Sequence, residues 1–116
     1  MWPWETAPGS VAGGILDDET YDWFAVVRAM LRTGGYPVAA SEATLVEANE
    51  LARATTAIDV DVTGSAGLAG LLELDRAGLL EPAESVAVLF TGVLRRATGT
   101  SPEPPAHPHS HHGEPR

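Results

Sequence analysis

The last twenty residues, 97–116, contain no Val, Ile, Leu, Phe, Trp or Tyr, yet hold five of the nine prolines and all four histidines. A segment with nothing to bury cannot offset the entropy of ordering its backbone, so this stretch is predicted to be a disordered tail. Whatever folds must fold within residues 1–96, which is room for one modest domain. The same 96 residues carry fourteen acidic groups against six arginines, so most of the chain's net charge of −9 belongs to the folded part. A surface of that sign argues against nucleic acid, where basic side chains supply most of the affinity, and against anionic membranes. Apolar runs such as residues 86–90 are far too short to span a bilayer. The start, Met1-Trp2-Pro3-Trp4-Glu5, shows no secretory signal. The expectation is a soluble, acidic, cytoplasmic protein. There is no cysteine, which removes disulfides, thiolate nucleophiles and Cys-ligated zinc. There is also no lysine, so no side chain here can form a Schiff base.

Hydrophobic spacing organises the first 96 residues. Asp17-Asp18-Glu19 precede Trp23, Phe24, Val26, Val27, Met30 and Leu31, which recur at helical intervals. Asp18 is the expected N-cap, and Gly34-Gly35 stop the helix. Residues 36–39 read as a short strand, with Pro37 at its start or on an edge. Ser41 caps a second helix over residues 42–55, whose buried stripe is Leu45, Ala48, Leu51 and Ala52. Residues 58–62 alternate apolar and acidic side chains, as a strand or an extended connector would. A third helix is expected from about Gly64-Ser65 to Ala77, with Leu68, Leu71, Leu72 and Leu74 as its apolar face and Gly78 as its stop. The unbroken run 85–90 suits a buried parallel strand ending at Thr91-Gly92. This order predicts an α/β fold, a small partial parallel sheet with flanking helices.

Two places could carry chemistry. Thr63-Gly64-Ser65-Ala66-Gly67-Leu68-Ala69-Gly70 opens a helix with several glycines, where free N–H groups and the helix dipole favour an anion. Its spacing is neither a Rossmann fingerprint nor a Walker loop, and close packing of a helix on a sheet is the simpler reading. Thr91-Gly92 lies at the carboxyl end of the expected strand, where ligands bind in open α/β sheets. A strand end before a turn glycine explains those residues more simply. Asp17, Asp18, Glu19 and Asp22 could attract a hard cation, but capping accounts for the first three. Asp59 and Asp61 read as a solvated face. The tail histidines His107, His109, His111 and His112 have no surroundings that would fix a metal's geometry. No histidine lies outside that tail, which excludes most hydrolase arrangements.

Three stretches taken together resemble a known family in order and separation. They are Ile15-Leu16-Asp17-Asp18-Glu19-Thr20-Tyr21-Asp22-Trp23, then residues 63–70, then Val88-Leu89-Phe90-Thr91-Gly92-Val93. The chain is similar, over about residues 9–96, to the C-terminal portion of threonine synthase-like lyases of amino-acid biosynthesis. Those belong to the fold type II, tryptophan synthase β-like superfamily of pyridoxal-phosphate enzymes. The resemblance implies a cofactor held between two domains. In that family the Schiff-base lysine, the ring-stacking asparagine and the phosphate loop lie earlier in the chain. It implies that Thr91 meets the pyridine nitrogen, with Gly92 beside it, and that the Gly64-Ser65 turn lines the pocket. It also implies that pyridoxal 5'-phosphate could be held only with another, lysine-bearing chain, since this one has no lysine. The expectation is a C-terminal fragment that begins midway along the family's chain and is inactive alone. The alternative is a non-catalytic acidic interaction module or a truncated gene product retaining part of the enzyme fold. The expected partner is a lysine-bearing chain or a second copy, as a homo-oligomer, and no catalytic or metal-binding residue is assigned.

Overall fold

A computed structural model of the chain describes residues 4–17 and 21–94. Three helices are present among them, α1 (Trp23–Thr33), α2 (Glu42–Thr55) and α3 (Ala66–Arg76), with one 3₁₀ turn over Gly13–Ile15. The expected N-cap Asp18 and the Pro/His-rich segment 97–116 lie outside the described residues.

Helix α2 begins where a hydroxyl can hold its first turn. The Thr44 N–H donates to Ser41 Oγ at 3.1 Å, which satisfies one of the amides that a helix start leaves unpaired. Its buried face is Thr44, Leu45, Ala48, Asn49 and Ala52. That face is rotated from the expected stripe, because Leu51 is exposed and Asn49 is inside. Helix α3 packs against α2, and α1 packs on neither. Leu45 and Ala48 of α2 meet Ala69 of α3 and Ala12 of the N-terminal segment, with Leu68 and Leu72 at the margin. Of the six buried apolar residues among those described, four are alanines. Each methylene buried is worth about 0.8 kcal/mol, so a core of alanine methyls holds the pair only modestly. Polar ties reinforce it: the Thr44 hydroxyl donates to Glu73 at 2.5 Å, and Arg76 reaches both Thr44 Oγ1, at 3.1 Å, and the Glu47 carboxylate. The Val11 N–H donates to Glu42 Oε2 at 2.8 Å and fastens the N-terminal segment to the start of α2.

The expected sheet is absent among the described residues. Residues 36–39 and 85–90 form no strands, and 58–62 meets the rest of the chain at a single antiparallel bridge, Val60 to Val93. The described fold is therefore all-α, and the α/β expectation with a partial parallel sheet is corrected. A strand exists only when a neighbour lies about 4.8 Å away along the hydrogen-bonding direction. The apolar runs touch α3 without pairing: Val38 lies over Gly70 and Val88 over Gly67, while Val38, Val86 and Leu89 stay exposed. Each therefore rests on the helix, and neither bonds to the other.

Helix α1 buries none of its residues. Trp23, Phe24, Val26, Val27 and Leu31 are all exposed, held only by local contacts such as the Trp23–Phe24 edge-to-face pair. It starts from Asp22, in the left-handed region at φ 53°, and ends at Gly34, at φ 73°, as the glycine pair required. Among the described residues, no helix is long and apolar enough to cross a membrane.

Candidate functional site

Thr91, Gly92, Gly64 and Ser65 come together where the turn before α3 crosses the last described segment. Asp61 organises the turn. Its carboxylate accepts the Gly64 N–H at 2.6 Å and its carbonyl accepts the Ser65 N–H at 3.0 Å, which bends the chain into α3. The 91–94 segment then lies antiparallel to 59–64. The Thr91 N–H donates to the Gly64 carbonyl at 3.2 Å, and the Leu94 N–H to the Asp59 carbonyl at 2.8 Å.

Bare backbone makes this crossing possible. A Cβ on Gly64 would strike the Gly92 amide nitrogen and carbonyl oxygen, and would stand 2.7 Å from the Gly92 Cα. A Cβ on Gly92 would stand 2.5 Å from Asp61 Oδ1. The two glycines are required by contact with each other and with Asp61, so the space at this point is already filled by protein.

The two hydroxyls of the site differ. Ser65 is fully buried, and its Oγ accepts from Asn49 Nδ2 at 3.1 Å while donating to the Asp61 carbonyl at 3.0 Å, with the Val62 carbonyl at 3.3 Å. That hydroxyl is committed to holding the turn. Thr91 is exposed, and its hydroxyl has no hydrogen-bond partner among the described residues. It is the one polar side chain of the four that is open to a ligand. Asn49 was not legible as part of this place, since it sits on the apolar face of α2. Its amide donates to the Val60 carbonyl at 2.9 Å as well as to Ser65, and so ties α2 to the crossing. The available signal was an amide at helical spacing from Leu45 and Ala52 on a face otherwise of small residues.

Tested against a pyridoxal-phosphate group, the described residues offer part of a site. Thr91 provides a neutral hydroxyl suited to a ring nitrogen. The chain has no lysine for the aldehyde, and of the arginines on α2 and α3, Arg53 pairs with Asp59 and Arg76 with Glu47. The acids distant from the crossing support the helices instead. Donation by the Val11 N–H, then by Ser10, holds Glu42 below the usual carboxylate range, and donation by Thr44, then by the Ser41 N–H, does the same for Glu73. Hydrogen bonding to Glu47 raises Arg76.

On the other face of α3, an open apolar groove of about 510 Å³ runs over Gly67, Gly70, Leu71 and Leu74, between Val38 and residues 86–89. No protein-family model matches the chain, and no curated protein is significantly similar to it.

Proposed function

We propose that this chain is the C-terminal part of a cytoplasmic, threonine synthase-like pyridoxal-phosphate enzyme, which works only with a lysine-bearing polypeptide. The observation that carries the reading is the crossing. Two stretches of the family resemblance meet backbone to backbone at Gly64 and Gly92, 28 positions apart, and Thr91 is left exposed beside them. When bound, the cofactor supplies an electron sink for the amino-acid substrate, and the reaction is replacement of the phosphate of O-phosphohomoserine by water. Thr91 would hold the ring nitrogen through its hydroxyl. A neutral partner leaves that nitrogen largely unprotonated and moderates the sink. Asp61 and Asn49 position Thr91 by fixing the turn that its N–H bonds to. Ser65 acts in the same supporting role. The lysine and the phosphate cradle belong to the other polypeptide.

The test is to isolate the native complex from source cells and record its mass and visible spectrum. A larger, coloured species with a lysine-bearing partner is expected. In that complex, Thr91→Val should lower cofactor affinity about tenfold, as loss of one hydrogen bond worth about 1.4 kcal/mol would. Unchanged affinity removes Thr91 from the site.

A second reading, a non-catalytic acidic interaction module, is favoured by the committed Ser65 hydroxyl and the missing lysine. It requires a colourless species of this chain alone.

A further inference from the structure

We propose that the groove on α3 receives an extended, basic segment of a partner protein, added as a strand between residues 36–40 and residues 85–90. The inference deepens the two-polypeptide reading by saying where the partner enters. Both walls are non-helical, and none of their main-chain N–H or C=O groups makes a backbone hydrogen bond among the described residues. Two segments with unpaired donors and acceptors bordering one apolar trough offer a template for strand addition. A helix satisfies its own main chain and would leave both segments unpaired; an extended chain satisfies both.

The floor has the matching shape. Gly67 and Gly70 carry no side chain, and a Cβ would meet ordinary van der Waals neighbours: Val88 Cγ1 at 3.6 Å and the Leu89 carbonyl at 3.8 Å from Gly67, and Val38 Cβ at 3.9 Å from Gly70. Leu71 and Leu74 supply apolar contact further along. An occupant with small or β-branched apolar side chains on one face is what such a trough accepts.

Charge selects between partners. Asp75 follows the floor, and Glu81 and Glu84 lead into the wall that begins at residue 85. The arginine nearest them in the chain, Arg76, is turned to Glu47. A second copy, itself at −9, would bring like charge to this rim, whereas lysine or arginine flanking the inserted segment would complement it.

The test titrates the full chain with a short labelled peptide of alternating valine and threonine bearing a lysine at each end. The same peptide with glutamate ends, and one N-methylated at alternate amides, serve as comparisons. The lysine peptide should bind about tenfold or more tighter than either, with its advantage over the glutamate peptide shrinking as salt rises. Gly70→Leu, which fills the trough from a helical position, should abolish binding while the helical circular dichroism is kept and the thermal midpoint does not fall. Equal binding of the charge variants or of the N-methylated peptide overturns the proposal. So does retained binding by Gly70→Leu, or no binding at all by a chain with a native helical spectrum. In the native complex, amide exchange should slow at 36–40 and 85–90 together. Slowing elsewhere with those two segments left fast overturns the docking mode, whether or not the complex carries pyridoxal phosphate.

Discussion

Gly64 and Gly70 stand six positions apart in the same glycine-rich stretch, and a methyl group has opposite consequences at the two. At Gly64 it would be driven into the Gly92 main chain, which cannot rotate aside as a flexible side chain would. Gly64→Ala should therefore destabilise by about 2–3 kcal/mol, the cost of overpacking against atoms that must shift. At Gly70 the nearest atom to an added Cβ is Val38 Cβ at 3.9 Å, and the backbone is helical. Gly70→Ala should stabilise by about 0.5–1 kcal/mol through the lost backbone entropy of glycine. Urea midpoints of the two variants give the answer, and shifts of the same sign would refute the crossing. Asn49 is the other residue on which the site depends. Asn49→Ala leaves the buried Ser65 hydroxyl and Val60 carbonyl short of a donor, and should cost about 1–3 kcal/mol in the same assay. A cost near zero would mean that water replaces the amide, and Asn49 would lose its positioning role.

The elements divide into those that local chemistry specifies and those that need a neighbour. Ser41, the bounds of α2 and the glycine stops at Gly34 and Gly78 were readable because caps act within a single turn. The sheet was misread because an apolar run does not say whether a hydrogen-bonding partner lies beside it. Val38 and Val88 touch α3, while Val38, Val86 and Leu89 stay exposed. At the crossing, the small residues of 63–70 suggested a helix packing closely on a sheet and Gly92 a turn, while nothing in their spacing said that Gly64 and Gly92 approach each other. The polar seam joining α2 and α3 was not legible either, since Thr44, Glu47, Glu73 and Arg76 each read as ordinary surface positions. That seam makes a pH prediction. Glu73 is held below the ordinary carboxylate value by donation from Thr44 and the Ser41 N–H, so its ionised form favours the folded state. Its contribution is complete above the unfolded-state value and is lost as pH falls through about 4 and lower. Glu42 acts with the same sign through Val11. The urea midpoint should fall on acidification below about pH 5, and Glu73→Gln should show a shallower fall. Parallel curves for the two proteins would show that Glu73 is not a source of the acid sensitivity.

At the scale of the molecule, the chain combines a strongly negative charge with apolar surface that the described residues leave uncovered. The α2–α3 pair has a core made mostly of alanine methyls, and α1 stands apart with Trp23, Phe24, Val26, Val27 and Leu31 in solvent. A helix of eleven residues without tertiary packing is marginal in water, because nucleation is unfavourable and helices shorter than about 12–15 residues rarely hold alone. Its Gly34 stop and the Arg28–Phe24 contact are local supports, worth too little to change that balance. Under the two-polypeptide proposal the partner covers α1, so the stability of α1 should report on assembly. In the chain alone, amides of α1 should exchange at rates close to those of a free peptide, while those at the buried face of α2 are slowed by the cooperative α2–α3 unit. Hydrogen exchange read by mass spectrometry resolves these segments directly. On assembly with the partner, α1 should gain protection, and Trp23 fluorescence should shift to the blue as its ring leaves water. Leu31→Glu should weaken that assembly without moving the thermal midpoint of the isolated chain, since Leu31 is 80% exposed. If α1 is as protected as α2 in the isolated chain, the helix already has its covering surface, and the chain is a self-sufficient domain with no need of a second polypeptide at that face.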